Sequence, residues 1–178
     1  MDLSDQQLIR NIRAGKAQAF DLIIARYQRP IRRSLFHLTK GDRALVDDLT
    51  QEVFILAYKN IAQFQGQGKM TAWLLKIAYR CFLAHYKRVK KSAAVIDDTA
   101  EMPDVKAEIP KQSTVMDVAA AMALLPPAER FAIDLCFTHG YSHSEAAKIM
   151  SIPLGTCKSH IGRGKEKLKI YLKGYHDD

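Results

Sequence analysis

Apolar positions recur along this chain at spacings of three and four, the period of a helix with one buried face. Ser4 can cap a first helix with Leu8, Ile9 and Ile12 on one side, and Gly15 ends it. A second stripe, Ala19, Phe20, Ile23, Ile24 and Tyr27, resumes past Pro30 with Ile31, Leu35 and Leu38. Gly41-Asp42 breaks the chain, and Leu45, Leu49, Val53 and Leu56 follow, with Phe54 and Tyr58 beside them. After the glycine-bearing loop "QFQGQGK", a helix is expected from about Met70 to Lys90, carrying Trp73, Leu74, Ile77 and Cys81. Alternation of the strand type is weak throughout, so the chain reads as all-α.

The period fails over residues 96–113, where two prolines stand among acidic residues without an aromatic. This segment reads as a flexible acidic linker. It divides the chain into two small helical domains, residues 1–95 and 114–178. In the second, an apolar helix is expected around Val115–Leu125. Pro126-Pro127 opens another, with Phe131, Ile133, Leu135, Cys136 and Phe137, ending near Gly140. Two short helices follow, joined at Ser151-Ile152-Pro153, which is the pattern of a helix-turn-helix. Ser142 or Ser144 can cap the first, and Ala146, Ala147 and Ile149 allow a close crossing. In the second, Leu154, Cys157, Ile161 and Leu168 form the expected inward face.

Charge sharpens this division. The 178 residues carry a formal net charge of +8. Residues 1–95 hold 17 Lys and Arg against 7 Asp and Glu, residues 96–113 hold 2 against 5, and residues 114–178 hold 8 against 7. A basic chain of this kind suits a polyanionic partner. No apolar run approaches the ~20 residues that span a bilayer, so no membrane insertion is expected. The opening residues are polar and amphipathic, unlike a secretory leader. Three widely spaced cysteines, Cys81, Cys136 and Cys157, argue against a disulfide framework. A cytoplasmic location fits both observations.

Three groups of residues carry candidate chemistry. From Leu154 to Lys173 there are six Lys and Arg against one Glu, and Thr156, Lys158, Ser159, His160, Arg163 and Lys167 lie off the inward stripe. Hydroxyls, amines and a guanidinium near a helix start suit phosphates and base edges in a major groove. In "LVDDLTQEVFILAY", Asp48 and Glu52 are four apart, as are Asp47 and Gln51, giving an acidic, amide-bearing patch on a basic domain. Such a patch fits a protein partner better than DNA, and no nucleophile or metal signal accompanies the carboxylates to make an enzyme of it. Cys136, His139 and His143 have the spacing C-x2-H-x3-H, which could gather zinc ligands. A helix end with unrelated polar side chains is the simpler reading.

The segment "LPPAERFAIDLCFTHGYSHSEAAKIMSIPLGTCKSHIGRGKEKL" resembles the C-terminal region of extracytoplasmic-function sigma factors, promoter-specificity subunits of bacterial RNA polymerase. The likeness rests on Leu125-Pro126-Pro127, Glu145, Ala147, Ile152-Pro153, Gly155-Thr156, Lys158-Ser159 and Arg163. The chain departs at Ser151, where that family usually has Gly, at His160, usually Arg, and in carrying Gly162 and Gly164 inside the last helix, where each glycine costs about 1 kcal/mol of helix propensity. "LVDDLTQEVFILAY" is similar to the helix that docks on the clamp of the polymerase β′ subunit, and "FQGQGKMTAWLLKIAYRCFLAHYKRVKK" to the segment that melts and reads the −10 element. Arg80 stands where that family often has Asn.

The resemblance implies a non-catalytic sigma factor without a cofactor. It would bind core RNA polymerase (β and β′) through Asp47, Asp48, Gln51 and Glu52. It would hold the −10 strand with Phe64, Gln65, Lys69, Met70 and Thr71 around a base pocket and Lys76, Arg80, Lys87 and Arg88 along the backbone, with Trp73 in the core. It would read a −35 element with Thr156, Lys158, Ser159, His160, Arg163 and Lys167. An anti-sigma factor is expected as a partner, the chain being monomeric when free or one-to-one with that partner. The competing reading is a stand-alone helix-turn-helix regulator.

Overall fold

The computed structural model describes residues 3–64, 69–94 and 118–173. The loop residues 65–68, Gln65 among them, and the acidic linker lie outside these. The helices are α1 (Asp5–Arg13), α2 (Ala19–Leu38), α3 (Arg43–Asn60), α4 (Met70–Ala94), α5 (Val118–Leu124), α6 (Pro127–Ile133), α7 (His143–Met150) and α8 (Leu154–Lys173). No strand occurs among the described residues. They fall into two compact units, one holding α1 to α3, α4 as far as Phe82 and Ile149–Ser151, the other the rest of α4, α5, α6, α8 and most of α7.

In the first unit α1 begins with a full capping box. The Ser4 hydroxyl accepts from the Gln7 amide, and the Gln7 side chain accepts from the Ser4 amide at 2.7 Å. Asp5 then ties α1 to α2, taking an ion pair from Arg26 at 2.7 Å and a hydrogen bond from the Tyr27 hydroxyl. Burial and the Asp5 carboxylate push the Tyr27 phenol up to about 12, so it stays a donor. The stripe interrupted at Pro30 belongs to one continuous helix, α2.

A tight turn closes the α2–α3 hairpin. Lys40 and Gly41 both have left-handed backbones, φ 56° and 86°, and a Cβ on Gly41 would stand 3.2 Å from the Phe36 ring. Asp42 caps α3 by accepting from the Leu45 amide at 3.0 Å. Val46, Leu49, Val53, Phe54 and Ala57 are buried from α3, and Leu74, Leu75, Ala78, Tyr79, Cys81 and Phe82 from α4. Arg13 donates to the carbonyls of Ala62 and Phe64, each at 2.9 Å, fixing the 3-10 turn Ile61–Gln63 that follows α3.

The second unit is built around α6. Pro127 occupies its first turn, as the sequence predicts. Arg130 is buried, donating to the carbonyls of Met122 (2.8 Å), Ala123 (2.9 Å) and Leu125 at the end of α5. The last carbonyls of a helix run out of amide donors ahead of them, so a cation there completes the helix end, with the Leu125 amide also donating to Met122 at 3.1 Å. Burial lowers the guanidinium to about 10. The chain leaves α6 through a π-helical turn, Asp134–Thr138, and then turns at Gly140 with φ 71°. Phe137, one of the apolar residues expected in this helix, is 61% exposed. It lies within the π turn, and the Lys165 ammonium is 4.8 Å from its ring centre.

Candidate functional site

The helix-turn-helix forms where the sequence places it. Ser142, not Ser144, caps α7: its hydroxyl accepts from the Glu145 amide at 3.3 Å, and the Glu145 carboxylate accepts from the Ser142 amide at 2.9 Å. Ala146, Ala147, Ile149 and Met150 are buried. Ser151 then takes a left-handed backbone, φ 58°. This is the conformation that favours glycine, which gives the departure at this position a physical meaning.

The inward face of α8 differs from the expected one. Cys157 and Ile161 are buried and Leu168 is half-buried, but Leu154 is 42% exposed. It precedes the first full turn and extends past the edge of the core. Further along the buried stripe, between Ile161 and Leu168, lies Gly164. A Cβ there would meet Ile133 Cγ1 at 3.0 Å, so α8 and α6 approach as closely as they do because residue 164 has no side chain. Gly162 faces open space. The two glycines, alike in sequence, have different roles.

The residues expected to read a −35 element divide into two flanks. Thr156, His160, Arg163 and Lys167 fall at i, i+4, i+7 and i+11, one stripe, whereas Lys158 lies about 160° round the helix from His160. Thr156, Lys158 and Ser159 are exposed, and the Ser159 hydroxyl donates back to the Gly155 carbonyl at 3.0 Å. Arg163 and Lys167 are not free cations on the outer face. Both converge on Glu129 of α6, Arg163 Nε at 3.0 Å from Oε1 and Lys167 Nζ at 3.0 Å from Oε2. Glu129 is only 4% exposed, and a buried carboxylate holds nearby cations because the alternative is an uncompensated charge. Arg163 Nη2 also reaches His160 Nδ1 at 2.9 Å. Burial and then the Arg163 charge lower the His160 imidazole, with Glu129 opposing them.

In the first unit the acidic patch borders a groove that the periodicity did not reveal. A cavity of about 470 Å³ opens between α2 and α3, lined by Phe20, Ile24, Gln28, Phe54, Ile55 and Tyr58, with Asp47 and Gln51 at its edge. Ile55 and Tyr58 are 47% and 46% exposed. The Tyr58 ring packs edge-on against Phe20, centroids 5.1 Å apart. Asp47 is paired with Arg32, while Asp48 is exposed and Glu52 half-buried, its charge raising the Cys81 thiol to about 11 after the larger effect of burial. The signal was present in sequence: Ile55 falls off the Leu45-Leu49-Val53-Leu56 stripe, of which Leu49 and Val53 are buried.

Residues expected around the −10 strand are similarly sorted. Lys69, Arg80, Lys87 and Arg88 are exposed, and Thr71 and Lys76 half-buried. Lys76, Arg80 and Lys87 share one stripe of α4, at i, i+4 and i+11. Phe64 and Met70 are buried, so they form the floor beneath this surface instead of its open face. Phe64 packs on the half-buried Trp73, centroids 5.3 Å apart. Among the described residues no three His, Cys, Asp or Glu side chains gather as metal ligands. His139 faces Asp134 at 3.6 Å, away from the zinc arrangement that its spacing to Cys136 and His143 allows.

Comparison with known proteins accounts for this arrangement. Residues 23–92 match the family model for Sigma-70 region 2, and residues 116–168 the model for Sigma-70, region 4. The chain is 31% identical over 180 residues to the ECF RNA polymerase sigma-E factor of Escherichia coli K12, covering 93% of each chain. It is 29% identical to the corresponding factor of Haemophilus influenzae, covering 94% of each. The sigma factor RpoE from Bartonella quintana, solved in complex with the anti-sigma factor NepR, has the same fold, with a TM-score of 0.68 at 24% identity over 89% of this chain and 98% of that one. So has CnrH, solved in complex with the cytosolic domain of CnrY, with a TM-score of 0.68 at 21% identity over 98% of this chain and 99% of that one. The chain belongs to the extracytoplasmic-function family of RNA polymerase sigma factors, and its function is promoter-specific transcription initiation. No described helix is long and apolar enough to cross a membrane.

Proposed function

We propose that this sigma factor docks on the clamp of core RNA polymerase with the outer face of α3, using Asp47, Asp48, Gln51 and Glu52. The observation that carries this assignment is the groove beside them. Ile55 and Tyr58 leave apolar surface half exposed next to acidic and amide groups, and a buried apolar centre with a polar rim is how a protein interface is composed. Residues 1–95 and 114–178 act as two promoter-reading modules joined by the acidic linker 96–113. Two weak modules on one tether gain effective concentration that neither has alone.

The exposed cations of α4 and the loop before it hold the −10 strand as it opens, and α8 reads a −35 element as duplex. The chain performs no catalysis itself and acts in the cytoplasm, where it is monomeric or held one-to-one by an anti-sigma protein. The complexes of two relatives of the same fold support the last point.

Binding of the full chain to purified core polymerase, wild type beside an Asp48→Ala/Gln51→Ala/Glu52→Ala variant, tests the assignment. Tight wild-type binding that the variant loses is the expected result. Binding retained by the variant moves the docking face elsewhere. Tight promoter binding by the chain without polymerase, and none to polymerase, favours a stand-alone regulator.

A further inference from the structure

The buried carboxylate of Glu129 holds Arg163 and Lys167 of α8, and through Arg163 it determines what that helix presents. Arg163 is a planar fork. Its Nε is committed to Glu129 at 3.0 Å, and this fixes the plane in which its Nη2 can point. That nitrogen lies 2.9 Å from His160 Nδ1. A guanidinium has only donors, so Nδ1 of His160 must be the acceptor. A neutral imidazole that accepts at one nitrogen carries its proton on the other. His160 therefore presents Nε2–H on the edge of the ring away from Arg163, and it does so before any DNA arrives.

We propose that Glu129 and Arg163 set His160 as a single, directed hydrogen-bond donor that reads the N7 acceptor of a purine in the −35 major groove. This rests on the reading of α8 as the −35 helix. The stereochemistry defines the specificity. An arginine can take both O6 and N7 of guanine and so selects that base. One donor reaches one acceptor, and N7 is shared by adenine and guanine. His160 thus selects purine over pyrimidine at its position without strongly dividing the two purines. Thr156, one turn earlier on the same stripe, is exposed and positioned for the adjacent contact. Lys167 supplies the second cation on Glu129, so the carboxylate remains compensated when Arg163 is changed. Glu129 and Arg163 are positioning residues; His160 touches the base.

The first arm of the test uses the free full-length protein. A long-range proton–nitrogen spectrum at neutral pH is expected to show His160 as the Nε2–H tautomer. Arg163→Lys keeps a charge near Glu129 but has no fork to hold both groups, and it is expected to lose that tautomeric bias. A protonated ring, or the Nδ1–H tautomer, in the wild type overturns the proposal. The second arm uses holoenzyme on a promoter selected from a random pool, with each −35 purine replaced in turn by its 7-deaza analogue. At one position the wild type is expected to weaken about fivefold to tenfold, the scale of one lost base contact. His160→Ala is expected to ignore that replacement and to respond as wild type elsewhere. Uniform weakening by His160→Ala with an unchanged 7-deaza profile overturns the proposal and leaves the sigma reading standing. No promoter-dependent complex at all overturns both.

Discussion

The two surfaces proposed here to meet other molecules, on α3 and on α8, are built in opposite ways. On α3 the polar groups are simply left outside. Asp48 is exposed, Asp47 has one surface partner in Arg32, and the apolar side chains Ile55 and Tyr58 stand half out of the core. On α8 the polar groups are anchored inward. Arg163 and Lys167 reach past the helix surface to Glu129, and Gly164 brings the helix down onto Ile133. A surface that docks another protein can be soft, because the partner buries it and fixes its side chains. A surface that reads base edges must hold its donors in place beforehand, because a wrong base is rejected only if the donor cannot move to suit it. The cost of a substitution should follow the same division. On α3, binding can be lost without stability. In the second unit, the two fall together.

The largest effect is expected deep under α8. Arg130→Leu removes the guanidinium that donates to three carbonyls at the end of α5. It should destabilise the second unit by about 3–5 kcal/mol, seen as a lower urea midpoint or as a separate early transition. A change below about 1 kcal/mol would mean that α5 is not held by this contact. Next comes Ile55→Asp in the α3 groove. It should weaken binding to core polymerase by about a hundredfold, the size of a central interface residue, while leaving the urea midpoint nearly unchanged. A parallel loss of stability would erase the contrast between the two surfaces.

The glycines of α8 give the smallest and sharpest comparison. Gly164→Ala gains helix propensity but presses a methyl group against Ile133, and a net loss of about 1 kcal/mol is expected. Gly162→Ala has open space, and a gain of up to about 1 kcal/mol is expected from the same propensity. Thermal melting of the two variants side by side checks the signs. Equal shifts would mean that the crossing of α6 and α8 does not depend on residue 164.

Much of this was legible before any coordinates. Helix order follows from period and caps: Ser4, Asp42 and the Pro127 first turn all act where residue type predicts. The distinction between Gly162 and Gly164 was also within reach, since only Gly164 falls on the Cys157-Ile161-Leu168 stripe. Glu129 was not legible. It sits one residue before the buried Arg130 in an unremarkable first helical turn, and its partner Arg163 is 34 residues away. A pairing over that distance has no local periodicity to betray it. Leu154 misled for the converse reason, because periodicity assigns a direction but cannot say where the core ends. Phe64 and Met70 misled because an aromatic or thioether beside a binding loop looks the same whether it faces the ligand or supports the loop.

The groove on the first unit is lined entirely by residues between Phe20 and Lys59. All of them belong to one hairpin of adjacent helices, closed by the left-handed Lys40 and Gly41. A surface made of such short-range contacts has little loop entropy to overcome. The α2–α3 hairpin can therefore take shape while α8, nearly a hundred residues further along, has yet to be synthesised.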